Sequence, residues 1–279
     1  YLLKMDGTSG VTSSLVKVED GDATDTSLSV STVAISVDAT DKIYLDAGGN
    51  TYLHEVSADV VQIVAGGSVA FEGDANSRYS MSNNDAGAYN TVFGKLAGAA
   101  LASGGDGNLF IGENAGNDVT TADYNIAIGY QALSQATDDC DQNIAIGVGA
   151  MSGNIASNDV SDCVAIGHEV MDAVLTSGAT GTVGIGYHAL TLLTGGSGNT
   201  AIGYETLAAV AGNSSHTAVG YQALKVCDGN DGNTALGYRA GYALTSGMQN
   251  VFIGTSAGAA TTAVDKTVII GDQAGGSDM

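Results

Sequence analysis

The chain has no proline and no tryptophan, only 4 phenylalanines in 279 residues, and 8 basic residues against 30 acidic ones. Each shortage closes off a possibility. With so little aromatic bulk there is no material for a wide globular core, and 41 glycines point instead to thin layers built from Ala, Ile and Val. A formal net charge of -22 argues against nucleic acid and anionic membranes as partners, because phosphate binding needs Lys and Arg. The acid excess reads as self-repulsion that keeps exposed strand edges from sticking to one another. No run of about 18 apolar residues is present, so neither a transmembrane helix nor membrane insertion through one is expected. Three cysteines (Cys140, Cys163, Cys227) are an odd number, too few and too scattered for a disulfide framework, and Cys163 reads as a small buried thiol. A start at Tyr1, with no initiator Met and no signal peptide, reads as part of something longer.

What the chain does have is one phrase repeated. Asn199-Thr200-Ala201-Ile202-Gly203-Tyr204 recurs in variants whose glycines are Gly94, Gly112, Gly129, Gly147, Gly167, Gly186, Gly203, Gly220, Gly237, Gly254 and Gly271. Successive glycines stand 17 to 20 residues apart, and the last five intervals are all 17. A fixed period of this size predicts a stacked repeat, since one such unit cannot bury its own apolar face. Ahead of each glycine, Ile or Val alternates with a small Ala (Ala127, Ala145, Ala165, Ala201, Ala218, Ala235), the period-2 pattern of a short strand. The glycine asks for positive φ or for close approach of a neighbouring backbone. Three residues later a second small residue recurs (Ala97, Ala115, Ala132, Ala150, Ala189, Ala223, Ala240, Ala257, Ala274), and the remainder of each period has turn composition. The expected fold is all-β: a parallel β-solenoid or β-roll of about eleven 17–20-residue coils over residues 90–279. The Tyr-Gln-Ala-Leu piece also admits a helical turn.

Residues 1–75 lack the repeat. Val11–Val18 and Leu28–Val37 alternate as half-buried strands do. Two hairpins follow, one around Ala47-Gly48-Gly49-Asn50 and one around Gly66-Gly67. A small antiparallel hairpin module is therefore expected ahead of the solenoid, with residues 76–89 as a polar linker.

The phrase Asn-Thr-Ala-Ile-Gly-Tyr-x-Ala-Leu, as at Asn199–Leu207 and Asn125–Leu133, resembles repeats in the tail fibres of tailed bacteriophages. It is more distantly similar to the head repeats of trimeric autotransporter adhesins. The stretch Asp41–Gly67 also looks like segments upstream in phage fibre proteins. The resemblance implies a homotrimer, a structural and adhesive role as shaft or distal segment of a fibre, and a place in the virion tail. Its implied partners are other fibre or baseplate proteins and a host surface glycan or protein. Apolar columns would then build each rod, and the small-residue columns would let three chains approach closely. Rival readings are a cellular surface adhesin, a self-assembling extracellular filament, and a polysaccharide-degrading tailspike. The last would need long insertions to wall a groove around two carboxylates, and the longest departures, Ser152–Asp162 and Thr176–Thr182, are short, so no enzyme activity is expected.

Several residues invite a chemical reading. Tyr130, Tyr187, Tyr204, Tyr221 and Tyr238 follow repeat glycines and would form a ladder, either packed against neighbours or open to glycan. The asparagines (Asn90, Asn108, Asn125, Asn143, Asn199, Asn233, Asn250) are expected to close turns by left-handed φ and bonds to their own backbone. Asp228, Asn230 and Asp231, like Asp138-Asp139-Cys140-Asp141, have calcium-loop composition without calcium-loop spacing. His54, His168, His188 and His216 occupy different phases of the repeat or lie outside it, a poor pattern for zinc.

Overall fold

The computed structural model describes residues 89–276, apart from 138–139, 154, 156–159 and 229–230, together with the strand segments N-terminal to them. It divides the chain into two units, Tyr1–Asn84 and Asp85–Met279. In the first unit β1 (Lys4–Met5), β2 (Val16–Glu19), β3 (Asp25–Val30) and β4 (Ile35–Val37) form an antiparallel sheet in chain order. The single strand expected over Leu28–Val37 is instead a hairpin: Leu28 pairs with Val37 and Val30 with Ile35, so the alternating run folds back on itself. A second antiparallel sheet follows, from β5 (Lys42–Tyr44), β6 (Tyr52–Ser57), β7 (Val60–Ala65), β8 (Ser68–Gly73) and β9 (Tyr79–Ser80). Tyr44 faces Tyr52 and Ala65 faces Ser68 at the two expected hairpins, whose glycine pairs lie outside the described residues. β9 pairs with β8, so part of the stretch read as linker belongs to the sheet.

The second unit is one parallel sheet of eleven strands in chain order. They are β10 (Thr91–Phe93), β11 (Leu109–Ile111), β12 (Ile126–Ile128), β13 (Ile144–Ile146), β14 (Val164–Ile166), β15 (Val183–Ile185), β16 (Thr200–Ile202), β17 (Thr217–Val219), β18 (Thr234–Leu236), β19 (Val251–Ile253) and β20 (Val268–Ile270). Every pair is in register, for example Ile126↔Ile144 and Ala127↔Ala145, so the chain advances one strand per lap, and eleven strands bound ten full turns. It is a β-solenoid. At about 4.8 Å per strand the stack runs roughly 50 Å. The Tyr-Gln-Ala-Leu segment is a turn and not a helix: Gln131 and Leu133 both sit at positive φ (56° and 51°). A 3-10 turn at Ser177–Ala179 lies in one of the insertions.

The strand faces the opposite way from the expectation that its large apolar columns fill the rod. The central Ala is fully buried in the interior, while its Ile, Val or Thr neighbours look outward and are half-buried or exposed. The small-residue columns therefore lie inside each coil and cannot be where chains approach one another. The reason is volume. The interior of so short a lap is filled from its other sides, by Leu133, Met151, Met171, Leu190, Leu207 and Leu224 four residues past the glycine, and by Val119, Leu193, Val210, Cys227 and Leu244 seven past it. Only Ala, or Gly at Gly184, fits opposite them. Where the strand contributes Phe110, Phe252 or Ile269 instead, the facing Leu becomes Gly116, Gly258 or Gly275, and a Cβ added to Gly116 would stand 2.6 Å from the Phe110 ring.

The glycine column meets both demands made of it. Gly203 has φ 138°, and a Cβ there would overlap the carbonyl of Gly220 in the next turn. The asparagine column departs from expectation. Its members from Asn108 onward are buried, and none is in the positive-φ set, which holds the residues just before them, such as Tyr124, Gln142 and Gln249. Each uses its amide between turns. Asn125 Oδ1 accepts the Asn143 N–H at 3.0 Å, and Asn143 Oδ1 accepts that of Cys163 at 3.0 Å. Asn250 Oδ1 accepts the Thr267 N–H at 2.9 Å while its Nδ2 donates to Val264 O at 2.6 Å. Turns this closely stacked bury polar backbone away from solvent, and a side chain that both donates and accepts can satisfy it once per lap. All three cysteines are buried, and Cys163, in the asparagine column, donates to Ala179 O at 3.0 Å.

Candidate functional site: an exposed aromatic ladder

The residue after each repeat glycine points out of the coil. Over β15 to β18 it is tyrosine each time, and the in-register lap brings the rings together as parallel plates. Tyr187 and Tyr204 stack with centroids 5.1 Å apart, Tyr204 and Tyr221 at 5.0 Å, and Tyr221 and Tyr238 at 5.3 Å, with planes within 10°. His168, in the same column one turn earlier, continues the stack at 5.3 Å from Tyr187, and the Arg239 guanidinium lies 5.5 Å from the Tyr238 ring at the other end. Tyr130 stands apart, because Val148 takes its place in the column on the turn between it and His168. Stacking of this kind contributes about 0.5–1.5 kcal/mol per pair beyond burial.

The tyrosines remain 40–46% exposed although the faces of Tyr204 and Tyr221 are covered by their neighbours. What they present is therefore a strip of ring edges and hydroxyls, suited to hydrogen bonding and edge contact more than to face stacking on a sugar. The Tyr204 hydroxyl is pushed up from its ordinary pKa, first by desolvation among its neighbours and then by the Glu205 carboxylate.

A polar column runs beside the rings, two residues past the glycine: Glu169, His188, Glu205, Gln222 and Arg239, all at positive φ between 48° and 54°. Glu205 accepts from Lys225 Nζ at 2.5 Å and from Gln222 Nε2 at 2.7 Å, and Arg239 Nε donates to Gln222 Oε1 at 2.9 Å. The Lys225 bond, followed by the Gln222 bond, holds the Glu205 carboxyl below the usual carboxylate range, and Glu205 in turn raises Lys225. Sequence reasoning missed this column because its chemistry changes at every turn. The only signal was position, and position becomes visible only once the laps are aligned.

The acid turns have another occupation. Asp231 Oδ1 accepts the Ser214 N–H at 2.8 Å, as Asp141 does for Asp123 at 2.7 Å and Asp265 for Met248 at 2.8 Å. These carboxylates thus bond the backbone of the preceding turn. Asn230, Asp138 and Asp139 lie outside the described residues. No helix among the described residues is long and apolar enough to cross a membrane. No family model, curated protein or solved structure matches the chain.

Proposed function

We propose that this chain is the shaft or distal segment of a homotrimeric bacteriophage tail fibre, a structural and adhesive protein that holds a host surface. The observation that carries the reading is the outward face of the solenoid sheet. There Ile126, Ile144, Val164 and Val183 form one column and Ile128, Ile146, Ile166 and Ile185 another, half open to solvent. Phe93, Ile111, Ile202 and Leu236 extend the second column with exposures of 37–59%. A continuous apolar strip of this length on a chain so highly charged calls for a cover. A cover that keeps side chain against side chain along the whole strip must share its rise per turn, and a second copy has that rise automatically. Three copies around one axis close the arrangement without leaving a free face. The tyrosine ladder, which follows the repeat glycine and so lies outside the strand, would then stay accessible for a host glycan or protein.

Native mass measurement tests the assembly. A species of three chain masses is expected, and Ile202→Glu, on the outward face, should shift it to monomer while leaving the β-sheet circular dichroism unchanged. A wild-type chain that is monomeric at micromolar concentration would refute the trimer. Binding of the labelled protein to host cells, weakened by Tyr204→Ser and Tyr221→Ser, tests the adhesive half.

A further inference from the structure

Below the tyrosines, the lap from Gly167 to Gly186 brings together three residues that sequence spacing keeps apart. His168 and Glu169 follow one glycine directly, and His188 stands in the polar column one turn on, directly next in line from Glu169. One ligand atom from each of His168, Glu169 and His188 lies within 4.8 Å of the other two. His188 Nε2 is 2.8 Å from Glu169 Oε2, and His168 Nε2 is 3.8 Å from Glu169 Oε1. We propose that these three side chains form a binding site for a first-row divalent metal ion, zinc foremost, that clamps two successive turns of the solenoid.

The donor set decides the ion. Two imidazoles and one carboxylate suit zinc and its transition-metal neighbours, whereas calcium and magnesium take oxygen ligands. Ligands bound at about 2.0–2.1 Å stand roughly 3–3.5 Å from one another, so the 2.8 Å His188–Glu169 pair has to open slightly and the wider separations to close by up to an ångström or so. Side-chain torsions suffice, because the backbone is already fixed in the ladder: His188 N donates to His168 O at 3.0 Å and Glu169 N to Val148 O at 3.0 Å. The ring planes are steadied too, since Tyr187 stacks on His188 at 3.9 Å and on His168 at 5.3 Å. His188 Nε2 is shut off from solvent and, despite its closeness to Glu169, makes no properly aligned hydrogen bond, which leaves it available to a metal. His168 is the exposed member, so the remaining coordination positions open outward. The location also suits a clamp. The laps ending at Gly167 and Gly186, 20 and 19 residues long, are the longest in the stack, so this is where regular stacking is most interrupted.

The test is calorimetric titration of the metal-stripped full chain with zinc chloride in excess calcium and magnesium. One zinc per chain is expected, with a raised melting temperature. His168→Gln and His188→Asn should each weaken binding by at least about tenfold. Asn is chosen at 188 because it tolerates the left-handed backbone there. Tyr187→Phe should bind as wild type does. If a variant fails to fold, the wild-type histidine ring NMR signals decide: zinc should shift two of the four histidines. No saturable site, a site that survives both histidine changes, or equal perturbation of all four rings would overturn the proposal.

Discussion

His216 stands where the ladder wants asparagine, and replacing it should stabilise the protein. It is fully buried, and its Nδ1 accepts the Asn233 N–H at 3.2 Å as an asparagine oxygen would. That fixes the proton on Nε2, which is buried without a hydrogen-bond partner. An orphaned buried donor costs about 1–3 kcal/mol. In His216→Asn the oxygen keeps the bond to Asn233, and the amide nitrogen is expected to find a carbonyl acceptor of its own, as Asn199 does at 2.8 Å and Asn233 at 3.0 Å. Against this, a void of about 40 Å³ left by the smaller side chain would cost up to ~1 kcal/mol at ~24 cal/mol per Å³. The expected net gain at neutral pH is up to about 2 kcal/mol. Acid enlarges the difference. Burial pushes the His216 pKa down, against the opposing pull of the Asp231 charge. The unfolded chain therefore takes up this proton before the folded one does. The stability that depends on a neutral His216 is complete above about pH 6.5 and is lost as pH falls toward the folded value, with a slope of at most ~1.4 kcal/mol per pH unit. Denaturant unfolding of both proteins from pH 7.5 to 5 measures each effect. A variant no more stable than wild type at neutral pH, with the same acid slope, would refute the reasoning.

The glycine column gives a second test: Gly203→Ala should lose at least about 1–3 kcal/mol from backbone strain alone, plus the overlap with Gly220. Gly212→Ala, in open space and outside the positive-φ set, should be neutral or slightly stabilising in the same thermal melts, and equal effects at the two sites would contradict the column. Volume compensation predicts a coupled pair. Phe110→Ala alone should cost about 3–5 kcal/mol, Gly116→Leu alone should clash with the Phe110 ring, and the double change, which copies Ala127 with Leu133, should recover about 1–3 kcal/mol of the summed loss. A purely additive cycle would show that the facing positions do not share space. Because Glu205 is held below its ordinary range by Lys225 and Gln222, its contribution is present above the unfolded carboxylate pKa and is lost as pH falls through the folded one. Lys225→Met should flatten that acid limb by no more than about 1 kcal/mol, since the pair is partly exposed.

The lap itself was legible because its period is a property of the backbone, and glycine advertises a backbone demand that no other residue can meet. Which way the strand faces was not legible. Alternation of Ile with Ala says only that the two types lie on opposite sides, and the habit of assigning the larger to the interior fails when the interior is one side chain across and already holds Leu207 or Leu224. The information was present in a longer-range form: where the strand carries Phe110, Phe252 or Ile269, the residue six positions on is glycine, whereas Ala127, Ala145, Ala165, Ala201 and Ala218 have Leu or Met there; Ala235 is followed by Gly241, against which the Phe252 ring of the next turn packs. A correlation across six residues that tracks volume is the signature of two side chains sharing one cavity, and it places Ala inside without any coordinates. Asparagine misled in the same way, since its local turn chemistry is common knowledge while its use between turns needs the stack to exist first. The candidate site follows the same rule. Tyr187 to Tyr238 could be aligned by eye because one residue type repeats, whereas Glu169, His188, Glu205 and Arg239 share a column with no shared chemistry. In a solenoid, then, the residue directly above is the neighbour that decides what a side chain does, and a site built from unlike residues one lap apart becomes readable only when the chain is written with one turn on each line.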